Sequence, residues 1–368
     1  MRIARLHIYQ HDLPVKDGPY TMAGQVVWAL DTTIVRLVTD TGVEGWGEVC
    51  PLGGQYAPVT AGTVRAVLCQ VAGALVGVPL EINAVTQVID AHVLGQNYAR
   101  AAIDIAVHDA LGKVLGVSVA TLLGGAYTDR VPSYYASGIG APEDIARLAA
   151  EKLAEGYPRF QIKAGGRDVA EDIATIRKVN EVVGGDMRLA VDANRGLSQA
   201  QAIQLSRACA DIPFLLEQPC NTIEEIAAIR AQLCHPVTLD ESMVDLGAVL
   251  RVVGAGLADG FGMKISRIGG LRPFSAFRDI CAARGLSYAC DDSWGGDIVN
   301  AACIQMAAAC PPRNLEGVWL AAPYIDGSFL AEDPVMIEAG HLRLRDGPGL
   351  GITPDADRVG RLVASFGG

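Results

Sequence analysis

"RFQIKAGG", residues Arg159–Gly166, poses the question from which the fold can be read: an apolar strand pattern ends in a lysine, and two glycines follow. Alone, such a lysine reads as the solvated end of a strand, because lysine is almost never fully buried without a partner. The chain around it changes that reading. From Val131 to about Leu320, short apolar runs alternate with amphipathic stretches of helical period. The runs are "VPSYYAS", "RFQIK", "RLAVD", "FLLE", "VTLD", "DGFGMK", "LSYACD" and "EGVW". Repeated βα units make a parallel sheet, and eight strands in this order close naturally into a barrel.

A barrel of this kind presents its chemistry at the C-terminal ends of its strands. Lys163 ends the second run, Asp192 the third, Glu217 the fourth, Asp240 the fifth and Lys264 the sixth. Their separations are 29, 25, 23 and 24 residues, about one βα unit each, so all five side chains fall on one rim. Any one carboxylate reads equally well as the N-cap of the helix that follows it. Three on consecutive strands, with a lysine strand on either side, form a far more specific signal. Three carboxylate oxygens suit a hard divalent cation, Mg²⁺ first and Mn²⁺ as a substitute. Lys163 and Lys264 would face each other across that ion, where burial, neighbouring cations and the metal lower a lysine's pKa towards neutrality. Both are expected to be acid/base groups.

Outside the barrel the pattern changes. Residues 1–125 begin with alternating runs in "RIARLHIYQHDL" and "TTIVRLVTDTGVEGWGEV" and continue into long helical stretches, the order of an α+β unit that caps the barrel. Residues 126–325 hold the barrel, and the turn-rich 326–368 is expected to pack back on the cap. Two Gly/Pro-rich connections, Asp12–Gly24 and Pro51–Pro58, are placed to close over the barrel mouth. Tyr56 lies in the second. On the opposite wall, "DDSWGG" carries Asp291, Asp292 and Trp294, and "EGVW" carries Glu316 and Trp319. An isolated ring is more often packing than ligand contact, but Tyr56 and Trp319 together would cage a cationic head group. Asp291 and Asp292 would polarise Lys264 or meet that cation. Glu241 is read as support for a metal ligand, and His235 and His108 as structural.

Composition excludes several classes. Half of the 368 residues are hydrophobic and 19% are charged, as in a globular enzyme. A formal charge of −11 argues against nucleic acid or an anionic membrane as partner. Nine cysteines stand as scattered singles without a CxxC pair, which fits small core residues in a reducing compartment better than zinc or disulfides. The N-terminus alternates like a strand and lacks a signal-peptide core, and no apolar run reaches spanning length, so a cytoplasmic location is expected.

The set Lys163, Asp192, Glu217, Asp240 and "KISRIGG" from Lys264, behind an α+β cap, resembles the enolase superfamily and within it the muconate-lactonizing-enzyme subgroup, over essentially the whole chain. The resemblance implies an α/β fold, a modified TIM (β/α)7β barrel with an N-terminal α+β capping domain, and a homo-oligomer. It also implies Lys163 and Lys264 as the acid/bases and Asp192, Glu217 and Asp240 on Mg²⁺. One departure is local: the subgroup's KxK element has Gln161 in place of its first lysine. "DLPVKDGPYT", "QYAP", "VPSYYASGIG", "EQPCNT", "CDDSWGGDI" and "EGVW" are similar to the 4-hydroxyproline betaine 2-epimerase group. That similarity implies a racemase or epimerase inverting the α-carbon of a proline betaine or 4-hydroxyproline betaine, by two-lysine 1,1-proton transfer through a metal-stabilised enediolate. Tyr56 and Trp319 would then contact the quaternary ammonium, with Asp292 in the same substrate site. A cis-3-hydroxy-L-proline dehydratase on the same scaffold is the alternative. A metal-dependent binding protein without turnover would have no need of both lysines.

Overall fold

The computed structural model describes residues 1–22 and 25–368. The cap opens with β1 (Ile3–Pro14), in which Leu6 and Ile8 are buried while Arg5 stays exposed. A small hairpin of β2 (Tyr20–Met22) and β3 (Gln25–Val27) follows, then the long hairpin of β4 (Ala29–Thr39) and β5 (Glu44–Val49). The expected connection Asp12–Gly24 is therefore shorter than its composition suggests. Backbone groups as far as Pro14 find partners on β4, with Leu13 opposite Leu30 and Pro14 opposite Ala29, and Tyr20–Met22 pair within the hairpin. Ala23 and Gly24 of that connection lie outside the described residues. The C-terminal β16 (Arg361–Phe366) pairs antiparallel with β1, giving a sheet in the order β16-β1-β4-β5.

Helices α1 (Ala61–Leu75), α2 (Ile82–His92), α3 (Asn97–Leu115) and α4 (Val119–Leu122) complete the cap. A Cβ at Gly45 or Gly47 of β5 would strike the α3 carbonyls of Ala106 and Ala102, so two glycines let the alanine-rich helix lie directly on the strand. The cap has its own apolar cluster, including Ile3, Ile8, Val35, Leu68 and Ile103.

The barrel strands stand where the apolar runs predict them, with one exception. "VPSYYAS" splits into β6 (Arg130–Pro132), which pairs with β15 (His341–Arg343), and the short β7 (Tyr135–Ala136). The ladder continues through β8 (Arg159–Lys163), β9 (Arg188–Asp192), β10 (Phe214–Glu217), β11 (Val237–Leu239), β12 (Gly260–Lys264), β13 (Ser287–Asp291) and β14 (Leu315–Gly317), neighbour to neighbour and parallel. A parallel bridge between Ser133 and Val318 joins the first strand region to the last and closes the barrel. Around it run α5 (Pro142–Ala154), α6 (Val169–Val183), α7 (Gln199–Ala208), α8 (Ile223–Ile229), α9 (Leu246–Ala255), α10 (Ile265–Ile268), α11 (Leu271–Arg284) and α12 (Asp297–Ala308).

Two carboxylates of the cap fix its seating by capping barrel helices, satisfying N–H groups that a helix start leaves unpaired. Asp104 accepts from the backbone N–H of Leu271 at 2.6 Å, at the start of α11. Glu48 accepts from Gly296 at 2.7 Å and Val299 at 3.1 Å, at the start of α12. Most cysteines are buried as expected, but Cys234 is exposed and Cys69 half-buried. Among the described residues no helix is long and apolar enough to cross a membrane.

Candidate active site

Strand register brings the five rim residues together. Lys163 stands opposite Asp192, Asp192 opposite Glu217, and Lys264 opposite Asp291 in their ladders. Strands β8 and β12 are four positions apart in a ring of eight, so Lys163 and Lys264 approach from opposite walls. The N-cap reading of the carboxylates is excluded. The helices after these strands are capped by Asp168, Ser198, Thr222 and Asp245, which leaves Asp192, Glu217 and Asp240 to point into the mouth. One cavity is lined by the eight residues expected to act on substrate, proton or ion: Tyr56, Lys163, Asp192, Glu217, Asp240, Lys264, Asp292 and Trp319.

Within that cavity each acid meets a cation or an amide. The Lys163 ammonium lies 2.6 Å from Asp192, Lys264 lies 3.3 Å from Asp240 and 3.6 Å from Asp291, and Arg267 pairs with Asp240. Gln161, where the subgroup has a lysine, donates to Glu217 at 2.8 Å. Burial drives both lysines towards neutrality, yet Asp192 pulls Lys163 and Asp240 pulls Lys264 above the usual ammonium range. The carboxylate facing each ammonium accounts for the direction. Burial also lifts Glu217, helped by repulsion from Asp192 and Asp240. Asp240 is the exception, because Arg267 and Lys264 outweigh its burial and hold it down at about 2.

Among the described residues no group of three acidic, histidine or cysteine side chains is already gathered as an ion cage. The donor chemistry nevertheless fits a hard divalent ion. Six buried carboxylates (Asp192, Glu217, Asp240, Glu241, Asp291 and Asp292) face four buried cations (Arg159, Lys163, Lys264 and Arg267), which leaves two formal negative charges in excess. Gly262 of β12 keeps the space clear, because a Cβ there would stand 2.5 Å from Glu217 Oε1. An all-oxygen set of this kind suits Mg²⁺ or Mn²⁺.

Tyr56 and Trp319, the expected cage residues, both line the cavity and have different neighbours. Tyr56 turns its hydroxyl to Asp240 Oδ2 at 2.9 Å, and its ring lies beside the Arg267 guanidinium, 5.3 Å from centroid to carbon. Trp319 instead packs edge-on against Trp294 at 5.2 Å and beside Tyr324, while Tyr20 of the cap hairpin meets Trp294 at 5.3 Å. The wall of rings is thus Tyr20, Trp294, Trp319 and Tyr324. Asp292 accepts from Ser266 and Ser293, and burial raises its carboxyl to about 6. Asp291 is tied by the Tyr134 hydroxyl at 2.7 Å and the Trp319 N–H at 2.7 Å, which aims it at Lys264. Glu241 accepts from Asn194 at 3.0 Å, as a supporting residue would.

Profiles of two families match the chain: the mandelate racemase/muconate lactonizing enzyme N-terminal domain over residues 5–124, and the enolase C-terminal domain-like family over residues 144–358. The chain belongs to the enolase superfamily. Within it the chain is of the muconate-lactonizing type, in a group of racemases, epimerases and dehydratases. It is 38% identical over 368 residues, covering 100% of both chains, to the cis-3-hydroxy-L-proline dehydratase of Roseibium aggregatum. It is 27% identical to the N-succinyl-L-Arg/Lys racemase of Bacillus cereus, over 99% of this chain and 98% of that one. A magnesium complex of an enolase superfamily member from Roseovarius nubinhibens superposes with a TM-score of 0.94 at 32% identity, covering 100% of both chains.

Sequence reasoning missed Arg267, Tyr134, Arg159 and Tyr20. Arg267 had a signal, three residues beyond Lys264 in the same "KISRIGG". The others owe their place to partners more than a hundred residues away or to the barrel interior.

Proposed function

We propose that this enzyme abstracts the α-proton of a small cyclic α-amino acid and expels the β-hydroxyl, with cis-3-hydroxy-L-proline as substrate. The observation that carries the reading is the pair of lysines on opposite walls of one cavity. In cis-3-hydroxyproline the hydroxyl shares a face with the carboxylate, so the α-hydrogen and the leaving group lie on opposite faces of the ring. One lysine then takes the α-proton from its face, the Cα–Cβ double bond forms as the C–O bond breaks, and the other lysine protonates the departing hydroxyl, which leaves as water. The enamine left behind tautomerises to a pyrroline carboxylate. Asp192, Glu217 and Asp240 would hold a divalent ion, Mg²⁺ or Mn²⁺, which when bound supplies charge stabilisation to the substrate carboxylate as the proton leaves. Asp292, a buried acceptor in the same cavity, suits the N–H groups of a secondary ammonium, while the rings of Trp294 and Trp319 exclude water.

The full-length similarity to a cis-3-hydroxy-L-proline dehydratase supports this order of preference. The sequence alone favours the betaine epimerase. Its aromatic cage would share Tyr56 with the Arg267 guanidinium, which already lies beside that ring. Epimerisation of a proline betaine remains the second reading, favoured by the aromatic wall and by two lysines able to exchange one proton across a planar centre. Proton NMR in D₂O with Mg²⁺ separates the two. Pyrroline formation from cis-3-hydroxy-L-proline is the expected result. Deuterium at Cα of hydroxyproline betaine with inversion, and no loss of water from the hydroxyproline, would overturn the dehydratase reading.

A further inference from the structure

The loop after β5 is fastened to the carboxylate rim from two sides. On one side the Tyr56 hydroxyl donates to Asp240 Oδ2 at 2.9 Å and accepts from Arg267 Nη2 at 2.7 Å, while the same guanidinium pairs with the other oxygen of Asp240. On the other side Arg195 Nη2 donates to the carbonyls of Gln55 and Tyr56, at 2.9 and 3.1 Å. Arg195 belongs to a turn that starts directly from Asp192. Asn194 and Arg195 both hold positive φ, +42° and +69°, a conformation that costs a non-glycine residue energy and persists only where its surroundings fix it. Here the Asn194 N–H donates to Asp192 Oδ1 at 2.9 Å, and its side chain donates to Glu241 at 3.0 Å. Tyr56 is buried although Gly54 and Gln55 beside it are exposed.

We propose that Tyr56 and Arg195 are positioning residues of the ion site, and that docking of the 51–58 loop and binding of the divalent ion are one linked equilibrium. The proposal rests on the assignment of Asp192 and Asp240 as ion ligands. A docked loop holds Asp240 in a single orientation through Tyr56, and the Asp192 turn holds the loop through Arg195. An ion that requires both carboxylates in those orientations binds the docked state more tightly, and by reciprocity it must favour docking by the same factor. Tyr56 serves the metal side of the cavity, not the ammonium side.

The test uses the full-length protein, Mg²⁺ alone as ligand, and no substrate. Mg²⁺ affinity is measured by calorimetry for wild type, Tyr56→Phe and Arg195→Ala, and backbone amide exchange of residues 53–59 is followed with and without Mg²⁺. Each variant is expected to bind Mg²⁺ roughly 10- to 100-fold more weakly, the usual cost of removing a group that orients a ligand. Mg²⁺ is expected to slow exchange in the wild-type loop and to lose that effect in both variants. Wild-type affinity in Tyr56→Phe, or loop exchange in wild type that ignores Mg²⁺, overturns the proposal. Weakening in Tyr56→Phe with none in Arg195→Ala overturns the share given to Arg195. A wild-type protein that binds no Mg²⁺ refutes the metal assignment itself, a different result from intact binding without coupling.

Discussion

Replacing Gly262 by alanine adds one methyl group where the barrel leaves room for a carboxylate. The new Cβ would stand 2.5 Å from Glu217 Oε1 and 3.2 Å from Asp240 Cβ, whereas ordinary contact begins at 3.4 Å, so the carboxylate must retreat by about 0.9 Å. It is not free to do so, since Gln161 holds Oε2 at 2.8 Å and Arg159 lies 3.7 Å from the same oxygen. The backbone at Gly262 is not in the left-handed region, so the methyl alone is the perturbation. Displacing a reacting or binding group by ~1 Å costs roughly 10²-fold in turnover. A disturbed ligand shell costs roughly 10- to 100-fold in ion affinity. Overpacking one methyl into a filled interior costs the ion-free protein about 1–3 kcal/mol. Calorimetric titration with Mg²⁺, urea unfolding without it, and turnover at saturating Mg²⁺ read the three effects separately. An alanine variant that binds Mg²⁺ and turns over like wild type would refute the reasoning, because Glu217 would then not depend on that space.

Lys163→Ala and Lys264→Ala are each expected to lower turnover roughly 10²- to 10⁴-fold, the share of a positioned acid or base; only the lysine on the α-hydrogen face should abolish α-deuterium exchange in D₂O, and equal exchange in both variants would deny the two-face assignment. Glu48 gives a pH test: burial, opposed by the N–H groups of Gly296 and Val299 and the Thr32 hydroxyl, raises its carboxyl from 4.5 to about 7. The folded chain keeps this proton while the unfolded chain loses it, so the associated stability is full below about pH 4.5 and is lost as pH rises to about 7, by ~3 kcal/mol. Glu48→Gln should lack that decline, and denaturation curves of the two proteins that run parallel between about pH 4.5 and 7.5 would contradict it.

How far the site was legible depended on where each residue's partners lie. Lys163, Asp192, Glu217, Asp240 and Lys264 could be read because strand ends recur once per βα unit, and the barrel converts that spacing into a ring. Gln161 was visible as a departure, but its bond to Glu217 was not. Tyr56 was visible as a ring in "QYAP", but the reach of its hydroxyl to Asp240, 184 residues away, was not. Trp294 and Trp319 stood out as aromatics, yet Tyr20, which completes their wall from the cap, comes from a hairpin that the loop-like composition concealed.

Local pattern by itself determined the architecture, since hydrophobic period and turn chemistry act over a few residues and eight repeated units leave few ways to close a sheet. The same repetition determined which side chains gather at the rim. Only the tertiary structure decided how those side chains pair. Arg267, Lys264 and Tyr56 all answer Asp240, Tyr134 aims Asp291 at Lys264 from 157 residues away, and Glu48 and Asp104 seat the cap on α12 and α11. Charges and hydrogen bonds act through space over a few ångströms, so their partners follow from packing and not from spacing along the chain.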